Sequence, residues 1–283
     1  MLDTAQAMEG GGDAPVFHPV NKVQCIAFAD NKERKRNMKY AFSLNLPRLQ
    51  SLVRTQSESL AIVAGGPSLN KTYKKISRFR NIMSCGSSHD HVIKLGIKPT
   101  YHIDCDPHVT HANNFREEGP PGLNYLIASR CHRSLFKRLK DKRVYMWHMW
   151  EEELGKKMYR GEPAFICGAS VILAALPMAL SMGFKNINFF GFDCSFEKDE
   201  EHHAYPQKED AQIMTARVGD PVNGRDFRTT ATWIGVAQQF EDMQNHWGHL
   251  FKTTIHGDNM IADMQKIREV QIANQTAKKG LAA

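Results

Sequence analysis

Residues 61–70 read AIVAGGPSLN, an apolar run that ends in a turn with almost no side chains. An apolar run of this length followed by turn residues predicts a buried strand. Gly65 and Gly66 leave the backbone uncovered, so the turn predicts a close approach by another backbone segment or by a phosphate. The turn matches neither the GxGxxG pattern nor a P-loop. The approach by another backbone segment and the approach by a phosphate therefore both stay open. Ser68 or Asn70 is expected to cap the helix that follows.

Six further stretches along the chain have the composition of strands, and most are separated by segments with helical spacing. The predicted strands are LAIVA (60–64), NIMSC (81–85), TYHID (100–104), NYLIA (124–128), RVYMW (143–147), INFFG (187–191) and KTTIH (252–256). Alternating strands and helices predict an α/β, Rossmann-like fold whose mostly parallel sheet has helices on both faces. Such sheets bind ligands at the carboxyl ends of their strands.

Composition shifts divide the 283 residues into four segments. We expect a disordered tail (1–20), a helical N-terminal preface (21–57), a nucleotide-binding α/β domain (58–260), and a C-terminal helix and tail (261–283). In the preface, NLPRLQSLV (45–53) has the clearest amphipathic helical spacing.

The net charge of +7 comes partly from basic runs such as KTYKKISRFR (71–80) and HRSLFKRLKDKR (132–143). A basic surface favours anionic partners, but solvated helix faces are the more common explanation of any one such run. Six scattered cysteines without a CxxC pair are typical of reduced thiols in a cytoplasmic protein. No apolar run is long enough for a membrane helix.

Two carboxylates, Asp104 and Asp106, follow the predicted strand at 100–104. Carboxylates so placed can hold Mg²⁺ or Mn²⁺ against a diphosphate. They can equally be a carboxylate at the strand end and a helix cap, since Pro107 follows Asp106. The nearby histidines are His102, His108 and His111. Their spacing matches no zinc pattern.

A second small-residue turn lies in FICGASVILAALPMAL (165–180), where Gly168 and Ser170 precede a long apolar helix. It repeats the design of the first turn, and Gly86 also follows a predicted strand. Two such turns in one sheet favour a bound nucleotide over either turn alone.

The stretch FFGFDCSFEKDEEHHAY (189–205) places Asp193 just after a strand and His203 and Tyr205 on the polar loop beyond it. These residues suit acid–base chemistry or phosphate binding. The alternative is an exposed histidine pair without function. The acidic run EKDEE predicts a raised pKa for His203.

The segments GGPSL, KLGIKPTYHIDCDP, CGASVILAALPMALSMGFKNINFFGFDCSF and HHAY, in this order, resemble the MptE-like domain over about residues 45–260. That domain occurs in archaeal 6-hydroxymethylpterin diphosphokinases and in motility accessory factors that glycosylate flagellin. The layout is remotely similar to CMP-sugar-dependent bacterial sialyltransferases. Compact members are frequent in phage and prophage genomes.

The resemblance implies a set of site residues by position. By position, Gly65, Gly66, Pro67, Ser68, Gly168 and Ser170 would bind the nucleotide, Asp106 would be the aspartate before proline, and Asp193 and His203 would be catalytic. The residue patterns themselves add Gly86 to the nucleotide-binding residues, Tyr205 to the catalytic residues, and Asp104 with Asp106 as the metal ligands. Sialyltransferases of this layout carry asparagine where Gly65 and Gly86 stand, which argues against a CMP-sialic acid donor.

Three functions are consistent with these features. The first is a glycosyltransferase that uses a nucleotide-activated sugar. The second is a Mg²⁺-dependent diphosphokinase that moves pyrophosphate from ATP to a pterin-like alcohol. The third is a non-catalytic nucleotide- or nucleic-acid-binding module. The expected partners are a nucleotide or nucleotide-sugar, an acceptor that is a protein, glycan or nucleic acid, and a second copy of the chain.

Overall fold

A computed structural model describes residues 30–49, 58–197, 202–207 and 211–281. In this part of the chain, seven strands form one parallel sheet in the spatial order β5-β4-β3-β2-β1-β6-β9. They are β1 (Ser59–Val63), β2 (Asn81–Cys85), β3 (Tyr101–Asp104), β4 (Asn124–Ala128), β5 (Arg143–Trp147), β6 (Asn186–Phe190) and β9 (Lys252–His256). The predicted α/β, Rossmann-like fold is confirmed.

The central strand β1 pairs with β2 on one side and β6 on the other. Its residues 60–63 are fully buried because helices cover both faces of the sheet. The chain builds outward from β1 to β5, then returns to add β6 and β9 on the opposite side. The strand order therefore reverses between β1 and β6, the place where such sheets usually bind ligands.

Eight α-helices lie within the described ranges. They are α1 (Asn31–Ser43), α2 (Leu69–Thr72), α3 (His89–Lys94), α4 (Arg133–Arg138), α5 (Glu152–Met158), α6 (Val171–Ser181), α7 (Ala231–Trp247) and α8 (Met260–Leu281). Helix α6 is buried over 172–179 and packs under β1, β2 and β3. Because side chains alternate along a strand, Ile62 joins the core on the α6 side and Val63 joins the core on the other face.

The hairpin after β6 and the segment at 45–49 differ from the sequence-based predictions. An antiparallel hairpin of β7 (Ile213–Val218) and β8 (Arg225–Thr230) was not predicted. The expected helix at 45–53 is wrong for its described part, because the Pro47 carbonyl accepts a hydrogen bond from the Met146 amide (2.8 Å) beside β5. Residues 50–57 and the predicted tail at 1–20 lie outside the described residues.

No helix in the described ranges is long and apolar enough to cross a membrane.

The turn after β1 lies against the loop after β6. The Gly66 amide donates to the Gly191 carbonyl (2.8 Å), and the Ser68 amide donates to Asp193 Oδ2 (2.7 Å). Ser68 occupies the cap position of α2, but its hydroxyl bonds Asp193 Oδ1 (2.6 Å) and does not cap the helix. Asn70 bonds the Ala204 carbonyl instead. The predicted cap is wrong, and the close approach at this turn is made by protein.

We expect Gly66→Ala to destabilise the fold. A Cβ at this position would lie 2.6 Å from the Gly191 carbonyl oxygen and 2.7 Å from Asp193 Cγ, so the loop after β6 has to move. The cost should be about 1–3 kcal/mol, the usual range for overpacking. Urea unfolding measures it.

Gly248→Ala is the matched control, because a Cβ there meets only Arg268 at 3.6 Å and the backbone is helical. A Gly66→Ala variant as stable as the Gly248→Ala variant would show that the contact is not tight.

Candidate active site

A cavity of about 1250 Å³ opens at the carboxyl ends of β1, β2 and β3. Gly65 follows β1, Gly86 and Ser87 follow β2, and Asp106 follows β3 at its wall. Parallel strands end at the same edge of the sheet, which brings these separate turns together. The strand order reverses between β1 and β6. The cavity lies to one side of that point, toward β2 and β3.

Gly86 lies at the floor of the cavity and contributes no side chain to it. Its φ of +53° is left-handed, a conformation that favours glycine. A Cβ here would lie 3.4 Å from Val171 Cγ2 and 3.6 Å from His111 Cε1. The end of β2, the start of α6 and the His111 ring therefore meet at one point.

The N-terminus of α6 faces the cavity, and Ser170, Val171 and Ile172 line it. The first amides of a helix have no acceptor within the helix and carry a partial positive charge. Ser170 is the cap residue, and its side chain makes no capping hydrogen bond in the described structure. These amides can therefore bind an anion.

Gly168 is part of the turn before α6 and packs against Leu173 and Gln239. The Ala169 amide donates to Gln239 Oε1 (2.8 Å), and a Cβ on Gly168 would collide with Leu173 and Gln239. Gly168 thus fixes where α6 begins without lining the cavity.

The two carboxylates after β3 surround a histidine. Asp104 is fully buried; its Oδ1 accepts the Asp106 amide (2.9 Å) and its Oδ2 lies 2.7 Å from His111 Nδ1. Asp106 Oδ2 lies 3.7 Å from His111 Nε2. Burial opposes the charge on His111, but the two carboxylates outweigh it and raise the pKa to about 9. His111 is therefore a cation at neutral pH.

These residues do not fit the expected Mg²⁺ or Mn²⁺ ion. Mg²⁺ is usually held by one or two carboxylates together with the phosphates of its substrate, so the fit depends on whether Asp104 and Asp106 are open to an ion. Both oxygens of Asp104 already have partners, and a cationic imidazole lies against Asp104 and Asp106. We therefore assign no step to a metal here.

The loop at 202–207 crosses the turn after β1. The Ala204 amide donates to the Gly65 carbonyl (2.8 Å), and His203 and Tyr205 pack so closely on Gly65 that a Cβ would collide with both rings. Tyr205 also bonds Ser87 through its hydroxyl (2.6 Å). A side chain at position 65 would occupy the space that this loop fills. The loop brings His203 and Tyr205 to the cavity wall.

The environment of His203 reverses the predicted shift in its pKa. Burial, with a smaller contribution from His202, lowers the pKa of His203 to about 3. The Nδ1 atom is buried and has no hydrogen-bond partner in the described parts of the chain. The prediction of a raised pKa is wrong because burial disfavours the charged form of the ring; residues 198–201 of the acidic run lie outside the described residues. His203 is neutral at neutral pH.

Asp193 lies beneath the turn after β1, outside the large cavity. It is 3% exposed, and its Oδ1 also accepts from Asn259 Nδ2 (2.8 Å) at the start of α8. Burial raises the pKa of Asp193 to about 6, against the hydrogen bonds from Ser68 and Asn259 that favour the ionised form. The carboxylate is ionised at neutral pH and joins three segments.

The structure thus brings together part of the predicted site. The predicted residues that line the cavity are Gly65, Gly86, Asp106, Ser170, His203 and Tyr205. Those that do not line it are Gly66, Pro67, Ser68, Asp104, Gly168 and Asp193. Pro67, Ser68 and Asp193 line a separate small cavity of about 40 Å³.

Basic residues at the rim were missed by the sequence reasoning. Lys94, at the end of α3, and Arg116, after the segment that follows β3, both line the cavity and are exposed. The sequence did contain a signal for them: Lys94 follows β2 and Arg116 follows β3, and the segments that leave the carboxyl ends of such strands face a ligand. With cationic His111 they favour an anionic ligand.

Residues 33–199 match the family model described as "6-hydroxymethylpterin diphosphokinase MptE-like". Among solved structures, the MAf glycosyltransferase from Magnetospirillum magneticum AMB-1 is similar, with a TM-score of 0.61, 13% identity and coverage of 84% of this chain. A mammalian sialyltransferase gives a TM-score of 0.43 with 13% identity, and the match covers 80% of this chain and 79% of that one. No curated protein matches.

The match to the MAf glycosyltransferase covers 38% of that protein and, at this identity, shows a shared fold. The family match is stronger evidence of relationship than the shared fold, because it is a match of sequence and spans more than half of the 283 residues. It includes the turn after β1, the Asp104–His111 segment, the start of α6 and Asp193. The chain belongs to the MptE-like family.

Proposed function

We propose that the chain transfers a sugar from a nucleotide-activated donor to an acceptor hydroxyl. The observation that carries the proposal is one cavity that combines a helix N-terminus, a cationic histidine and a neutral histidine. Two titratable groups whose environments push their pKa values apart are typical of an acid and base pair.

The donor phosphates fit best against the start of α6. The amides of Val171 and Ile172 have no acceptor within α6 and suit phosphate oxygens, and the absence of a side chain at Gly86 lets a phosphate approach. The volume of about 1250 Å³ exceeds the roughly 300–1000 Å³ of a typical small-molecule pocket, so a nucleotide, its sugar and part of an acceptor fit together.

The chemistry follows from these positions. The bond from the anomeric carbon to the phosphate oxygen breaks, and the leaving nucleotide gains negative charge that His111 and the α6 amides stabilise. The acceptor oxygen forms the new bond to the anomeric carbon and loses its proton. His203 lines the cavity with an unprotonated ring nitrogen and is placed to accept that proton as the new bond forms; the negative phosphate of a bound donor would raise its low pKa toward the operating pH. The Tyr205 hydroxyl, bonded to Ser87, can orient a phosphate oxygen.

Two further observations favour sugar transfer over pyrophosphate transfer. Enzymes that transfer phosphoryl groups from ATP rely on Mg²⁺ to neutralise the developing charge, and Asp104 and Asp106 do not fit that ion. The MAf protein that shares the fold is named a glycosyltransferase. The family description names a diphosphokinase, so the second activity is the alternative to test.

A thermal-shift panel of CMP, UDP, GDP and ATP, each in EDTA and in Mg²⁺, tests the proposal directly. A ligand at about a hundred times its Kd stabilises the native state by about 2.7 kcal/mol. We expect one nucleoside mono- or diphosphate to raise the melting temperature in EDTA. A response to ATP alone that needs Mg²⁺ would support the diphosphokinase, and salt-sensitive binding of RNA or DNA without a nucleotide response would support a nucleic-acid module.

The pair Ser170→Asp and Ser170→Asn tests the position of the phosphate. Both residues are good helix caps and have the same shape, so both should leave α6 intact. The added carboxylate should weaken nucleotide affinity about tenfold or more by repulsion, and the amide should not. Titration calorimetry measures both affinities. Equal affinities for the two variants would place the phosphate elsewhere.

His203→Ala should lower the rate of sugar transfer from the nucleotide-sugar by about 100-fold or more, the usual scale for acid–base participation. Nucleotide affinity should change much less than the rate, because His203 acts on the acceptor. The measurement is turnover by the nucleotide released per unit time. His249→Ala is the control, since His249 is exposed in the segment after α7 and does not line the cavity. A His203→Ala rate within a few-fold of the control would remove His203 from the reaction.

A further inference from the structure

The solvent side of α1 carries a row of basic side chains. The exposed members of the row are Lys32, Lys35, Arg36 and Lys39. Residues at this spacing share one face of a helix, and seven residues of helix extend about 10 Å. The other side of α1 is buried through residues 37, 38 and 41. The row therefore presents its cations to solvent.

A second basic row lies on the neighbouring helix α4. Arg133 and Lys137 are exposed four residues apart, which places them on one face of this helix. Helix α1 packs on α4, where the ring centroids of Tyr40 and Phe136 are 6.5 Å apart. In the described ranges, no basic side chain of either row forms an ion pair with a carboxylate. The charge of both rows is therefore not neutralised within the protein.

We infer that the two rows form one surface that binds the phosphate backbone of a nucleic acid. This α1–α4 surface consists of Lys32, Lys35, Arg36, Lys39, Arg133 and Lys137. The inference goes beyond the proposed transfer and does not depend on it, because it concerns a partner of the chain outside the cavity.

The composition of the α1–α4 surface favours a polyanion over other partners. The apolar residues of α1 and α4 are buried or half-buried, so the rows present charge without an exposed apolar anchor on either helix. Interfaces between proteins are depleted in lysine at their centres, and helices that bind membranes insert exposed apolar side chains. Contacts from lysine and arginine to phosphate need no apolar group. Duplex DNA carries one charge per about 1.7 Å of its axis, so a row of about 10 Å meets several phosphates.

The α1–α4 surface borders the large cavity. Asn37 Nδ2 in α1 donates to the Pro107 carbonyl (3.4 Å), and the Ser134 hydroxyl in α4 donates to the Val109 carbonyl (3.3 Å). His108, between Pro107 and Val109, lines the cavity. Both basic helices are thus bonded to the segment that forms one wall of the cavity. A polynucleotide that contacts both rows lies beside this wall.

Fluorescence anisotropy with labelled duplexes of DNA and of RNA, each of about 20 base pairs, tests the inference between about 50 and 200 mM salt. The variant Lys35→Gln with Lys137→Gln removes one charge from each row. Its matched control is Lys74→Gln with Lys75→Gln, which removes the same charge from the basic segment before β2 that contacts α2. All four side chains are exposed, so both variants should fold like the wild-type chain.

We expect the wild-type chain and the control to bind with an affinity that falls steeply as salt rises. The slope of log affinity against log salt should be smaller by about 2 for Lys35→Gln with Lys137→Gln, because each lost phosphate contact removes about 1. The control should keep the wild-type slope. The duplex that binds more tightly at equal salt identifies whether the backbone belongs to DNA or RNA.

Three results would overturn the inference. The first is no binding of either duplex by a folded wild-type chain at about 50 mM salt. The second is an equal change of slope in the two double variants, since net charge alone would then explain the binding. The third is tighter binding of polyglutamate than of either duplex, which would make the partner an acidic protein. The proposed function fails separately: a chain that binds nucleic acid as expected but turns over no nucleotide-sugar would keep the α1–α4 surface and lose the transferase.

Discussion

The buried carboxylate of Asp193 is the constraint on which the rest of the arrangement depends. It accepts hydrogen bonds from the Ser68 amide and hydroxyl and from Asn259, and so joins the turn after β1, the loop after β6 and the start of α8. Hydrogen bonds to a charged group contribute about 1.5–3 kcal/mol each. Asp193 accepts the Ser68 amide and Gly191 accepts the Gly66 amide, so both amides have protein acceptors at the point where the strand order reverses.

The large cavity lies over the ends of β1, β2 and β3, and the N-terminus of α6 faces it. Two histidines at its wall have opposite environments. His111 lies between carboxylates and is charged, whereas His203 is buried against the turn after β1 and is neutral. The division of roles in the proposed transfer follows from these surroundings, since the two side chains are chemically the same.

The sequence carries enough information to predict the sheet, because each apolar run and its turn are local features. It also marks Gly65, Gly86 and Ser170 as cavity residues, since each follows a strand or begins a helix. The direction of the turn amides could not be predicted, because the Asp193 carboxylate that accepts the Ser68 amide is 125 residues away along the chain. The pKa of His203 depends on burial, which the acidic residues beside it do not reveal. The missed β7–β8 hairpin did leave a local signal in the turn residues GDPVNG (219–224).

The most direct test of this account is a crystal structure of the protein with a bound nucleoside diphosphate, grown in EDTA. The account predicts phosphate density within hydrogen-bond distance of the Val171 amide and His111 Nε2, with the turn at 65–68 still bonded to the loop after β6. Phosphate bound on the amides of Gly66 and Ser68, with Asp193 displaced, would contradict it.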